Sequence, residues 1–193
     1  GDIAIELPSW LPSECLVAWF PFDGDAYDAS ANGHHGIVNG AVLTNGHTGL
    51  VQSAYAFDGA GANIDLGNAS ELGRASTSLD EVADERACII SNRTGSVAVS
   101  GSCIGIAGTN DPGPGFDPGE LNISTADPVQ FCSDQSISTG VWTHVAMTYD
   151  RDANLIRMYY DGTLMSEGSM SNFSEDPLIH HTLGYSANEN GGI

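Results

Sequence analysis

Oxygen-bearing side chains crowd one short stretch, Asp23-Gly24-Asp25-x-x-Asp28-x-Ser30-x-Asn32-Gly33. A calcium ion takes about six to eight oxygen ligands from carboxylates, amides and backbone carbonyls on a loop that can wrap it. Asp23, Asp25 and Asp28 offer carboxylates, Asn32 an amide, and the glycines let carbonyls turn inward. The stretch is not an EF-hand, because Tyr27 stands where an oxygen ligand is needed and no glutamate closes the loop. The expectation is a Ca2+ site at Asp23, Asp25, Asp28 and Asn32, with a solvated acidic turn as its alternative. Asp150-x-Asp152-x-Asn154 opens like a calcium loop, but Leu155 replaces the required glycine, and a hairpin turn accounts for it. Asp111, Asp117 and Glu120 lie in or beside a Pro-, Gly- and Asp-rich stretch. It reads as a long surface loop, with a second cation site or a ligand contact as the alternative.

Other chemistry is thinner. His34, His35, His180 and His181 form adjacent pairs without zinc-ligand spacing, and His144 inside an apolar strand reads as a hydrogen-bonded core residue. Tyr159, Tyr160 and Tyr185 are the candidates for stacking on a sugar, since tyrosine joins an apolar face to a polar tip; sheet packing is the alternative. Trp19, Phe57, Trp142 and Tyr149 read as core. No strand carries Glu-x-Asp-x-x-Glu, and neither a nucleophile elbow nor a phosphate loop is present. The chain has no lysine, so Schiff-base chemistry has no amine. The expectation is a binding protein and not an enzyme.

The acidic balance limits partners. With 25 Asp and Glu against 5 Lys and Arg, the formal net charge is −20, and phosphate backbones and anionic lipid would be repelled. Cations or plain solubility are what such a charge serves. No apolar run is long enough to insert in a membrane. Gly1-Asp2-Ile3 opens without a secretory signal, as a mature or cut chain would. The 4 cysteines, Cys15, Cys88, Cys103 and Cys132, contain no C-x-x-C. Cys88 and Cys103 flank a turn-rich stretch, so a hairpin there would set them opposite each other as a disulfide; two buried thiols are the alternative. Glycosylation sequons stand at Asn68, Asn92, Asn122 and Asn172.

These residues need elements to position them. Residues 1–14 contain Pro8 and Pro12 without a period and read as an arm or linker; 15–193 reads as one domain. Apolar runs recur at 16–22, 36–43, 53–59, 63–67, 88–90, 104–106, 121–123, 129–131 and 178–184. Val141 to Tyr149 and Leu155 to Tyr160 flank a polar turn and form the clearest hairpin. The 24 glycines and 8 prolines suit many turns. Short strands at this spacing, without a helical period, predict an all-β, antiparallel two-sheet β-sandwich, a jelly roll.

Leu16-Val17-Ala18-Trp19-Phe20-Pro21-Phe22-Asp23-Gly24 and Asp28-x-Ser30-x-Asn32-Gly33-His34-x-Gly36 resemble the opening of laminin-G-like, concanavalin A-like lectin/glucanase jelly-roll domains. Ala54-Tyr55-x-Phe57-Asp58-Gly59, Gly140-x-Trp142-Thr143-His144-Val145-Ala146, Tyr160-Asp161-Gly162 and Leu183-Gly184-Tyr185 resemble its later segments. The resemblance implies a concanavalin-like sandwich and supports a structural calcium near the first loop. It also implies a core strand after Leu79 and a closing strand after Ile193 that the sequence does not show; omitted segments or a second chain would supply them. The functional expectation is a secreted or cell-surface module, assisted by Ca2+, that binds glycan or an extracellular protein. Self-association as a subunit of a surface layer is the alternative, and a glycoside hydrolase a distant one.

Overall fold

The computed structural model describes residues 7–9, 11, 13–14, 16–58, 61–67, 78–79, 87–91, 102–107, 117–125, 130–169 and 180–184. The described elements are strands: β1 (Ile37–Asn39), β2 (Val42–Thr44), β3 (Ala54–Ala56), β4 (Asn63–Asp65), β5 (Ser78–Leu79), β6 (Ala87–Ser91) and β7 (Ser102–Ile106). They continue with β8 (Glu120–Thr125), β9 (Gln130–Ser136), β10 (Thr143–Asp150), β11 (Leu155–Tyr160), β12 (Thr163–Ser169) and β13 (Thr182–Leu183). A 7-stranded sheet runs β1-β4-β13-β6-β7-β8-β9, and a 4-stranded sheet runs β12-β11-β10-β5. All strand pairs are antiparallel, and β2 and β3 form a separate hairpin. This is the expected β-sandwich. No described helix is long and apolar enough to cross a membrane.

Alternation builds the core between the sheets. In β8, Leu121 and Ile123 are buried in it; in β7, Ile104 and Ile106 sit across from them. β11 answers from the other sheet with Ile156, Met158 and Tyr160, and β10 with Val145. Successive side chains of a strand point to opposite faces, so one face of each sheet is apolar and the other is left for different work. Gly168 of β12 lets the sheets approach, because a Cβ there would overlap the Phe131 ring of β9.

One polar tie crosses the core. The register shifts between Glu120 and Asn122 where β8 meets β9. There the Leu121 N–H donates to both Ser133 Oγ (3.1 Å) and Tyr160 Oη (3.0 Å). The two hydroxyls lie 2.6 Å apart, and both reach the Gln135 carbonyl, from 2.9 and 3.0 Å. A bulge strands backbone groups inside, and buried groups left unpaired are costly; the Tyr160 hydroxyl supplies a partner from the opposite sheet. Burial pushes the Tyr160 pKa above its usual 10.0, so the hydroxyl keeps its proton for this role.

Several expectations need correction. Leu16 to Phe22 is no strand; Val17, Ala18, Phe20 and Phe22 pack on the core, but the backbone is held by the loop that follows. His144 is exposed, not a core residue, because Val145 beside it takes the inward position. Trp142 and Phe57 are also on the surface, Trp142 edge-on to His47 with ring centroids 6.4 Å apart. β5 ends at Leu79, pairing Leu79 with Thr143 and Ser78 with His144, and residues 80–86 that follow it lie outside the described ones. Asp80 and the chain beyond Gly184 lie outside the described residues.

Removing the Tyr160 hydroxyl (Tyr160→Phe) is expected to cost about 1–2 kcal/mol in urea unfolding, the worth of one or two buried hydrogen bonds. Gly168→Ala should cost about 1–3 kcal/mol by overpacking. A Tyr160→Phe variant as stable as the parent would show that the tie contributes nothing.

Candidate functional site

The first loop closes on itself. Asp28 Oδ1 accepts the N–H groups of Trp19 (3.0 Å) and Ser30 (2.8 Å), and Oδ2 accepts that of His34 (3.0 Å). Asn32 Nδ2 donates to the carbonyls of Leu16 (2.8 Å) and Val17 (2.9 Å), and Asp25 Oδ1 accepts the Tyr27 N–H (3.0 Å). Burial acts to raise the Asp28 pKa, but the hydrogen bonds from Ser30, Trp19 and His34 outweigh it and hold the carboxyl below 3.8. The sequence brings Asp23, Asp25, Asp28 and Asn32 onto one loop, as expected. Both Asp28 oxygens, Asp25 Oδ1 and Asn32 Nδ2 are nevertheless directed at backbone partners, and Asp23 is exposed. Among the described residues no group of three or more His, Cys, Asp or Glu is placed to hold a metal ion. The side chains as placed do not fit a calcium shell; the loop is organised by an internal anion.

The expected sugar platforms divide. Tyr160 is only 8% exposed and its hydroxyl is engaged inside the sandwich, so it is a core residue and not a stacking surface. Tyr159, its neighbour, faces the other way and is half-buried on the outside of the smaller sheet. Tyr185 lies outside the described residues. Glu120 is buried, its Oε2 taking the Asp117 N–H (3.1 Å), and Asp111 lies outside the described residues. Asp150 Oδ1 accepts the N–H groups of Asp152 and Ala153, each at 3.0 Å, as the turn reading of that segment requires. Strands β6 and β7 do form a hairpin pair, but Cys88 lies opposite Gly105 and Cys103 opposite Ser91. Cys103 is fully buried and disulfide-bonded.

A polar surface emerges instead on the face of the 7-stranded sheet that points away from the core. Ile64, Leu183, Ile104, Leu121 and Ile123 go inward, so their strand neighbours go outward. Asn39 Nδ2 donates to Asn63 Oδ1 across β1 and β4 (3.0 Å). His180 Nδ1 lies 2.9 and 2.8 Å from the two carboxylate oxygens of Asp65. Thr182 pairs with Asp65 on one side and Ser91 on the other, which carries the row across β13 to β6. Beyond β7, Asn122 of β8 completes it, opposite Gly105. Exposure falls along this row from 64% at Ile37 to 2% at Ser91 and 1% at Asn122. Neither amide atom of Asn122 has a hydrogen-bond partner. A fully buried amide with both its donor and its acceptor idle is rare, and at 1% exposure it is closed off from the open part of the face. Burial also removes Asn122 from glycosylation in the folded state, although its sequon is intact. No local pattern points to this face: His180 and Asp65 stand 115 residues apart, and only the strand order unites them.

His181, next to His180, goes to the core side. It is buried, with neither ring nitrogen hydrogen-bonded. Burial, together with the neighbouring His180 and against the Gly67 carbonyl, holds its pKa below 6.5.

Residues 77–191, more than half of the chain, match the laminin G family model of the concanavalin A-like lectin/glucanases superfamily. No curated protein matches. Among solved structures, the chain is similar to a protein from Bacteroides ovatus proposed to bind carbohydrate, at 20% identity and a TM-score of 0.42, covering 55% of this chain and only 28% of that one. It is also similar to domain 4 of AbnA, an extracellular arabinanase from Geobacillus stearothermophilus, in complex with arabinotriose. Here the identity is 17% and the TM-score 0.53, with 86% of this chain and 82% of that domain covered.

Acid should weaken the fold in two steps. Below pH 6.5 the unfolded chain protonates His181 while the folded chain resists, so stability falls as pH drops from 6.5 toward the lower folded value. The Asp28 contribution is intact above 3.8 and is lost as pH falls through its depressed folded value. Thermal melts across pH are expected to lose the first step in His181→Leu and the second in Asp28→Asn. Asp28→Asn itself should cost about 1.5–3 kcal/mol at neutral pH, through weakened charge-assisted bonds.

Proposed function

The chain belongs to the concanavalin A-like lectin/glucanases superfamily, and we propose that it is an extracellular carbohydrate-binding module that receives glycan on the outward polar face of its larger sheet. The observation that carries this reading is the row from Asn39 through Asn63, Asp65 and His180 to Thr182: amides, a carboxylate, an imidazole and a hydroxyl on one face. Sugar hydroxyls both donate and accept, and such a mixed set of fixed side-chain groups is what orients them. The arabinotriose-bound domain shares the fold at low identity and supplies a first probe, not a ligand assignment.

The module acts by binding and leaves the glycan intact. Hydrolysis by two carboxylates needs both at the scissile bond. On this face Asp65 is engaged by His180, and no strand carries the Glu-x-Asp-x-x-Glu arrangement. Calcium assistance is not carried into the proposal, because the acidic loop uses its oxygens on its own backbone.

A second reading, assembly with other copies through strand addition, is favoured by one observation: β1 ends its sheet with Ile37 and Val38 exposed. Edge strands of this kind pair with other chains unless covered. Sedimentation at rising concentration should find monomer if the glycan reading alone holds; self-association abolished by Val38→Lys would establish the second.

Glycan-array or calorimetric binding is expected to show micromolar to millimolar affinity, lost in Asp65→Ala with the melting curve preserved. Release of reducing ends over time would instead make the protein a hydrolase. Affinity and melting temperature should be the same in millimolar calcium and in chelator. A rise in either with calcium would restore the metal, since a ligand of the folded state alone must raise the transition.

A further inference from the structure

We infer that His181 is an acid-sensitive latch: protonation of its buried ring frees β13, parts the larger sheet between β4 and β6 and releases bound glycan, a conclusion that rests on the carbohydrate-binding reading. The latch sits at the narrowest join of the sheet. Among the described strands β13 alone lies between β4 and β6, and it has 2 residues. Thr182 and Leu183 pair with Asp65 and Ile64 of β4 on one flank and with Ser91 and Ile90 of β6 on the other. His181 extends the ladder: its N–H donates to the Gly67 carbonyl (2.7 Å), and its carbonyl accepts the Leu66 N–H (2.8 Å). Gly184 extends it toward β6, donating to the Ile89 carbonyl (3.0 Å). The β10–β11 pairing is far longer, running from Val145 and Tyr160 to Asp150 and Leu155.

The ring is the part of this segment least suited to its place. It is 3% exposed, and neither ring nitrogen has a hydrogen-bond partner. A neutral imidazole has one donor and one acceptor; both go unanswered, so the closed strand already carries a penalty. Protonation makes both nitrogens donors and adds a charge. On the core side the flanking segments offer Ile64, Leu66 and Ile90, and the facing sheet offers Val145, Ile156, Met158 and Tyr160. Tyr160, the buried titratable member of that cluster, holds its proton. Asp65 is on the outer face and engaged by His180. The charged neighbour whose field reaches the ring is His180, of like sign when protonated. An imidazolium in this setting has no counter-charge, and it gains by reaching water. It cannot do so while β13 stays in the ladder, because the ring is on the core side of that strand.

Opening and binding share residues. Thr182 belongs to β13, and His180 just before it is the partner of Asp65. When β13 leaves, the row loses its hydroxyl and its imidazole, and only the amides and carboxylate of β1 and β4 remain together. The sign follows from proton linkage. In the open form His181 meets water and titrates near its ordinary 6.5. In the closed form burial holds it lower, with His180 adding and the Gly67 carbonyl opposing. Acid below 6.5 therefore favours the open form, by up to about ten-fold per pH unit until the lower closed value is reached. The Asp28 loop takes no part, since its carboxyl titrates below 3.8.

The test is native-state hydrogen exchange of the whole chain across the histidine range, about pH 8 to 5, read as protection factors. The Leu66 and Gly184 amides report the latch, and the β10–β11 ladder reports global opening. Protection at Leu66 and Gly184 should fall below pH 6.5 by up to about ten-fold per unit, and should stay at least about ten-fold under that of β10–β11. His181→Leu and the more adaptable His181→Met should abolish the fall, whereas His180→Gln should keep it. Equal protection in both sheets at every pH, or a fall that persists in both His181 variants, overturns the latch. Calorimetric titration with arabino-, xylo-, gluco- and galacto-oligosaccharides at both ends of the range tests the release. A glycan bound at the upper pH should weaken about three-fold or more at the lower one, and by less in His181→Leu. The same pH dependence in parent and variant overturns the release and leaves the carbohydrate-binding reading standing. Binding of no glycan at either pH overturns that reading, and the release with it, whatever the exchange shows.

Discussion

The fold depends on one constraint: successive residues of a strand must face opposite ways, and the core lies on one side only. In β8 that constraint places Leu121 and Ile123 between the sheets and Asn122 on the reverse. In β4 and β13 it sends Ile64 and Leu183 inward and Asp65 and Thr182 outward. Apolar burial contributes about 25 cal/mol per Å², so a slip of one residue in any of these strands would expose its isoleucines and leucines. The register that protects the core is therefore the register that lines up the polar row. Stability and function are not separable choices here; both follow from the same alternation.

The bulge at Glu120–Asn122 is one of three places among the described strands where that alternation is interrupted, with Cys88–Ile90 and Met158–Tyr159, and the cross-sheet tie sits there. Tyr160 is both a core ring and the partner of a stranded N–H. Its hydroxyl has no surface role left to play. Tyr159, its neighbour in sequence, is free of that duty only because β11 points it outward. Adjacent tyrosines thus divide between core and surface, and composition alone could not say which was which.

How much was legible follows from how local the determinants were. The hairpin of β10 and β11 could be read because its alternation and turn residues lie within one short stretch. The segment 16–22 has the same apolar character but no ladder partner, since its carbonyls go to Asn32 and Ser30 and the Trp19 N–H to Asp28. Its strand-like composition reflects packing on the core, not pairing. Carboxylate spacing marks the acidic loop but does not reveal that nearby N–H groups take up the Asp28 oxygens. The polar row was invisible for a different reason. Its strands come in the order β1, β4, β13, β6, so its neighbours are joined by long crossovers that no local pattern encodes.

The distribution of charge gives the last step. A chain with 25 acidic side chains would repel itself if they gathered without partners. Several of the described ones are instead spent singly: Asp28 on backbone N–H groups, Asp65 on His180, Asp150 on its turn, Asp161 on the His144 N–H, Glu167 on Arg157. Each carboxylate stabilises a local bend or pair, and none needs a metal to do so. What remains is a negative field without a cationic focus in the described structure. In such a field an uncharged, hydroxyl-rich chain meets no electrostatic barrier, whereas an anion is repelled within the screening length of about 8 Å at physiological salt.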